Sequence, residues 1–153
     1  MIIKIISGGQ TGADQGGLWA GKVLKLETGG VIPKNFRTDT GPNPALKEFG
    51  LVEDESSNYQ PRTIKNVKNS TGTVWFGNSN SPGGKLTINT CKKFGKPYII
   101  NPTKEALIKW IDWNKITILN VAGNRESSSP GIQQKVRDFL VMVLSSEENK
   151  KGE

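Results

Sequence analysis

Three segments of this 153-residue chain place small residues, hydroxyls and backbone amides directly after a short apolar run: IIKIISGGQTGAD, TVWFGNSNSPGG and ITILNVAGNRESSSPG. Such residues bind anions, because a glycine-rich turn that opens a helix presents unpaired N–H groups at the positive end of the helix dipole. In the first turn the candidates are Gly8, Gly9, Gln10, Thr11, Gly12 and Asp14, and its glycines let a ligand approach the backbone closely. The second turn supplies Asn78, Ser81, Gly83, Gly84, Lys85 and Thr87. The third supplies Asn120, Gly123, Arg125 and Glu126, of which Arg125 carries the planar fork that suits phosphate or carboxylate. Arg62 and Thr63 follow a long irregular excursion, which could bring a second basic group to the same crevice.

Each group also has a plainer reading. Thr11 could cap the first helix, with Asp14 closing a variant capping box. The second loop could be a surface connection in which Ser81 caps a helix and Pro82 takes its first position, Thr87 bonding back to the preceding turn. Arg125 and Glu126 could form an exposed ion pair, and Arg62 could simply sit at a helix start. The first turn lacks the Lys-Ser/Thr of a P-loop and does not fit G-x-G-x-x-G, so neither fingerprint applies.

The chain has no histidine, which excludes Ser–His and Cys–His triads and any His-bearing zinc site. Acid–base work at these turns would fall to Asp14 or Glu126. The single cysteine, Cys91, cannot form an internal disulfide and lies in a helical pattern, as a buried small residue would. The net charge of +7, from 21 basic and 14 acidic residues, favours anionic partners. The basic residues are spread along the chain without interleaved aromatics, so a small anion is expected rather than nucleic acid. No apolar stretch approaches the roughly 20 residues that span a bilayer. The opening MIIKIISGG leads straight into the first turn and is expected to belong to the fold, in a cytoplasmic protein without membrane contact.

The elements that must position these turns alternate. Apolar periodicity predicts strands over 2–6, 29–32, 73–76, 97–101 and 116–121, and helices over 13–24, 62–69, 84–94, 104–113 and from 130 to about 145. Between Pro33 and Pro61 the pattern fails. Trp19, Trp75, Trp110 and Trp113 fall at positions expected in the core. This alternation implies an α/β fold with right-handed crossovers and a mainly parallel sheet of about five strands covered on both faces. One domain is expected over 1–145, with a polar tail, 146–153, that frays. Small domains of this kind often pair through exposed helices, and a homo-oligomer is expected.

Taken in order, GGQTGAD, the Pro33 turn, Tyr59-Gln60-Pro61-Arg62-Thr63 with Asn66-Val67, Gly83-Gly84 with Thr87, and Leu119-Asn120-Val121-Ala122-Gly123 with Arg125-Glu126-Ser127 and Pro130-Gly131 resemble the family named putative molybdenum carrier proteins. That family belongs to a wider group of Rossmann-like domains, which includes the LOG-type (lysine-decarboxylase-like) phosphoribohydrolases of nucleoside monophosphates and the SLOG nucleotide sensors. The resemblance implies a Rossmann-like three-layer α/β/α sandwich with a phosphate- or oxyanion-binding edge. Against the phosphoribohydrolase pattern, Pro82-Gly83-Gly84 leads to Lys85, Leu86 and Thr87 with no acidic residue before Glu105, so the helix-borne catalytic glutamate is missing. Asn124 and Lys85 stand where the carrier family commonly has proline and threonine.

The function expected from these turns is binding of a phosphate-bearing nucleotide or nucleotide-derived signal, such as an ADP-ribose-like molecule, without catalysis. Its phosphates would lie on the Gly8–Gly12 and Gly83–Gly84 turns, neutralised by Arg125 and Arg62, with Asp14 or Asn120 bonding a ribose hydroxyl or base edge. Two alternatives stay open. One is hydrolysis of a nucleotide N-glycosidic or phosphate bond with Asp14 or Glu126 as the acid–base group; the other is carriage of molybdate or the molybdenum cofactor.

Overall fold

The computed structural model describes residues 1–151, with side chains through residue 145. The chain runs β1 (Lys4–Ile6), α1 (Ala13–Val23), β2 (Glu27–Ile32), β3 (Arg37–Thr38), β4 (Gly41–Pro42), β5 (Leu51–Glu53) and α2 (Tyr59–Asn69). It continues through β6 (Gly72–Phe76), α3 (Pro82–Lys93), β7 (Tyr98–Ile100), α4 (Lys104–Asn114), β8 (Ile118–Gly123) and α5 (Ile132–Lys151). Six strands form one sheet in the order β5-β2-β1-β8-β6-β7, every neighbouring pair parallel. Helices α1, α4 and α5 pack together on one face, and α2 with α3 on the other, giving the three layers of a Rossmann-like sandwich.

The central strands are buried on both sides, so they are continuous apolar runs rather than alternating ones. Ile5, Val74, Leu119 and Val121 face α4 and α5, whose Leu107, Ile111, Leu140 and Val143 complete the larger core. A smaller core of Leu18, Ile32, Phe36, Leu46, Phe49 and Leu51 lies under the excursion that follows β2.

That excursion differs from the sequence expectation. It contains the antiparallel β3–β4 hairpin, two 3-10 turns over Lys34–Phe36 and Pro44–Phe49, and β5, which adds a sixth strand by pairing Leu51–Glu53 with Gly30–Ile32. Strands of two or three residues are too short to leave a period in the sequence. Helix α2 begins at Tyr59, ahead of Pro61, because the first turn of a helix has no use for the missing N–H. Two tryptophans expected in the core lie outside it: Trp113 is 89% exposed and Trp19, packed edge-on against Phe49, is 38% exposed. Trp75 is buried, as is Cys91. Helix α5 extends past residue 145, and the polar tail expected to fray, 146–153, lies outside the residues whose side chains are described. Among the described residues no helix is long and apolar enough to cross a membrane.

Candidate functional site

The turns after β1, β6 and β8 lie at one edge of the sheet because parallel strands all end on the same side. After β1 and β8 the chain turns to the α1/α5 face, and after β6 to the α3 face. The crevice opens where these directions diverge, at the topological switch point of the sheet. A cavity of about 400 Å³ fills it.

The turns themselves bring Gly8, Gln10, Asp14, Gly83, Thr87, Asn120, Gly123 and Arg125 to the cavity wall, and α2 brings Arg62 and Thr63. Asn120 Nδ2 donates to Thr73 Oγ1 at 3.1 Å, and Thr87 Oγ1 donates to the Gly83 carbonyl at 2.8 Å. Gly83 leaves open space above its Cα, where a Cβ would come no nearer to another group than 3.9 Å from Trp75. The rest of the sequence candidates lie elsewhere. Gly9 is covered by Ile32 and Leu51, and Gly84 packs on the Ser79 backbone. Ser81 caps α3 by accepting from the Gly84 amide at 3.1 Å. Asn78 and Lys85 are exposed beyond the rim.

The first turn is organised differently from the capping box. Its amides point inward: Gly9 N–H donates to Ser7 Oγ (3.3 Å), Gln10 N–H to Asp14 Oδ2 (3.2 Å) and Thr11 N–H to the Gln10 side-chain oxygen (3.1 Å). Gly12 N–H goes to Gln133 and Ala13 N–H to the Asn124 carbonyl. The Asp14 carboxylate thus occupies the place at which an incoming phosphate was expected. Thr11 does not cap α1. Its hydroxyl donates to Asp39 Oδ1 at 2.7 Å and accepts from the Glu126 amide at 3.3 Å. Gly12, at φ +85°, lies flat against the backbone of Asn124 and Glu126, with no room for a Cβ.

Glu126 is also committed elsewhere. Its Oε2 accepts from Gly131 N–H at 2.6 Å and its Oε1 from Gln133 N–H at 3.0 Å, so it caps the start of α5. Those two amides hold its carboxyl below the usual range. The Arg125–Glu126 ion pair is therefore not formed, and Arg125 instead sits over the Tyr59 ring at 4.8 Å.

Among the described residues, Asp14 is the single carboxylate on the cavity wall. Burial pushes its pKa up from 3.8 to about 6, against the opposing effects of Arg62, the Gln10 amide and Arg125. Arg62 Nη2 approaches Asp14 Oδ2 at 3.9 Å, while Nη1 bonds Thr63 Oγ1. Burial lowers the Arg62 pKa and Asp14 counteracts it. Three donors on residues of the wall have no partner although they are buried: Gln10 Nε2, Arg62 Nε and Trp75 Nε1. Unmade hydrogen bonds of this kind are costly, at about 1–3 kcal/mol each. Among the described residues no group of three or more Asp, Glu or Cys side chains is placed to hold a metal ion.

Several residues of this site were not marked by sequence reasoning. Tyr59 and Asn66 carried part of the family resemblance without being assigned to the site, and Asn66 clamps β2 through both Val31 backbone groups. Trp75 and Leu86 form an apolar wall that only the fold brings together. Arg37 stands over Tyr59 from the excursion hairpin, 4.7 Å from the ring; no local pattern connects the two.

The three layers and the parallel sheet define a Rossmann-like domain, with a donor-rich cavity at its switch point. Residues 5–144 match the model of the circularly permuted YpsA SLOG family, and the chain belongs to that family. Its structure is similar to the crystal structure of a protein from Syntrophus aciditrophicus SB described as a putative molybdenum carrier protein. The TM-score is 0.84 at 33% identity, over 93% of this chain and 94% of that one. No protein of curated function matches the chain.

Proposed function

We propose that this protein binds a phosphate-bearing nucleotide or a nucleotide-derived molecule of the ADP-ribose type at the sheet edge, and holds it without cleaving it. The observation that carries the reading is the pairing, within one cavity, of the Arg62 and Arg125 guanidiniums with the buried, partnerless donors of Gln10, Arg62 and Trp75. Guanidiniums suit phosphoryl oxygens, and the Trp75–Leu86 wall suits a flat ring. The phosphate is placed on the arginines and Gly83 rather than on the first turn, whose amides already serve Asp14 and Ser7. Membership of the SLOG family supports a nucleotide-related role. A thermal-shift screen of nucleotides and ADP-ribose derivatives tests it: stabilisation by one class supports the reading, and none by any member sinks it.

Two further readings each rest on an observation. Asp14, raised to about 6, is suited to donate a proton near neutral pH, which favours hydrolysis of the bound nucleotide. Under that reading a bound nucleotide turns over, and Asp14→Asn abolishes turnover while binding persists. The similarity to a protein described as a molybdenum carrier favours molybdate or a molybdenum cofactor as cargo. The same guanidiniums suit a tetrahedral dianion. Under that reading molybdate stabilises the protein in the same screen and nucleotides do not.

A further inference from the structure

Resting on the nucleotide reading of this cavity, we propose that Arg37 supplies a second phosphate position, so that the ligand selected carries a diphosphate rather than a single phosphate. The guanidinium carbons of Arg37, Arg125 and Arg62 lie 4.7, 4.8 and 5.4 Å from the centroid of one ring, that of Tyr59. They come from three separate parts of the chain: the β3–β4 hairpin, the turn after β8 and the second position after Gln60 in α2. Arg62 approaches the Asp14 carboxylate at 3.9 Å, whereas Arg37 and Arg125 make no ion pair among the described residues. The ring is therefore surrounded by an excess of two positive charges when Asp14 is ionised. Burial is the main cause of the lowered Arg62 pKa, and Arg125, as a like charge, acts in the same direction.

A tyrosine ring offsets this repulsion only in part, since a cation over an exposed aromatic face gains about 0.5–1 kcal/mol. A polyanion offsets it fully. Arg62 and Arg125 stand on the cavity wall and are assigned here to one phosphoryl group. Arg37 is exposed on the hairpin side of the ring and spends one nitrogen, Nη1, on the Ser57 carbonyl at 2.9 Å. Its other donors make no hydrogen bond among the described residues, and they are the ones assigned here to the second phosphoryl group.

The hairpin is also held where this requires it. Asp39, two residues from Arg37, accepts from Thr11 Oγ1 at 2.7 Å and from Ser127 Oγ at 2.9 Å, and its amide donates to Gln10 Oε1 at 2.9 Å. Asp39 is thus a positioning residue that fixes Arg37 relative to the turn carrying Arg125.

The test is calorimetric titration of the full chain with ADP, AMP, inorganic pyrophosphate and inorganic phosphate, in magnesium-free buffer of fixed ionic strength. Wild type is expected to bind ADP at least about tenfold tighter than AMP, and pyrophosphate tighter than phosphate by a similar factor. Arg37→Ala is expected to remove both preferences while leaving AMP affinity within about twofold, and Arg37→Gln to do the same with the side-chain stem retained. Equal binding of ADP and AMP by wild type overturns the inference but leaves the nucleotide reading standing. A preference that survives both substitutions overturns the role of Arg37. If neither nucleotide binds, the nucleotide reading fails and the pyrophosphate-to-phosphate ratio alone decides the diphosphate position.

Discussion

Gly8→Ala separates the ligand site from the fold. A Cβ at Gly8 would stand 2.6 Å from Arg62 Nε and 2.8 Å from both Cδ and Cζ. Ordinary carbon contacts lie near 3.5 Å or beyond, so the Arg62 head must move by about 1 Å. Its obstacle is the end of a flexible side chain and not backbone, and Gly8 does not adopt a left-handed conformation. The fold should therefore tolerate the change. The displaced guanidinium loses its aim at the cavity, and a charge-assisted hydrogen bond of this kind contributes about 1.5–3 kcal/mol, or roughly 10- to 150-fold in affinity. Calorimetric titration with the ligand that the screen identifies, beside thermal unfolding of both proteins, reads the two effects separately. Gly12→Ala is the control. There the new Cβ meets the backbone of Asn124 and Glu126 at φ +85°, so unfolding should occur at clearly lower temperature. Unchanged affinity in Gly8→Ala would refute the placement of Arg62 in the ligand site; a loss of stability equal to that of Gly12→Ala would refute the separation of site from fold.

Arg125→Ala should weaken the same ligand by about 1.5–3 kcal/mol with little change in melting temperature, and unchanged affinity would reduce the third turn to scaffold. Glu126→Gln should do the reverse: a neutral amide oxygen replaces a carboxylate that receives both Gly131 and Gln133 amides, so stability falls by about 1 kcal/mol while binding is retained. Asp14 gives the pH signature. Its folded pKa is raised from 3.8 to about 6, so between those values the folded state binds the extra proton. Stability from this group is therefore full below pH 3.8 and lost as pH rises through about 6, an effect on the order of 3 kcal/mol. Denaturant unfolding of wild type and Asp14→Asn across that range should show the difference between them changing in this sense; a constant difference would exclude Asp14 as its source.

The strand and helix alternation was legible because each long element carries its own period: α1, α3 and α4 fall within two residues of their expected bounds. Pro82 after Ser81 announced the start of α3 by the same local chemistry that builds it. The excursion from Pro33 to Pro61 was illegible for the opposite reason. Its β5 is set by a distant partner, Leu51 against Gly30, and its hairpin, Arg37 against Pro42, has strands of two residues, too short to show a period. The site divides in the same way. Arg62 and Arg125 could be marked as cations beside turns, whereas the meeting of Arg37 with Tyr59, and the buried nitrogen of Trp75, exist only after folding. Thr11 and Glu126 show how local rules mislead: Thr11 had the spacing of a cap for α1 but serves Asp39, and Glu126, read as a partner for Arg125, caps α5.

The carboxylate of Asp14 has one more effect, on entropy. It receives the Gln10 amide and the influence of the Gly8 amide from inside its own turn, so that the turn is ordered before any ligand arrives. Fixing a backbone residue costs about 1–2 kcal/mol, and a loop that had to be fixed during binding would subtract this from the affinity residue by residue. Here folding has already met that cost. Amide exchange across Gly9–Ala13 should be as slow in the empty protein as in the loaded one, and the rigid turn lets small differences between ligands register as differences in affinity rather than in loop motion.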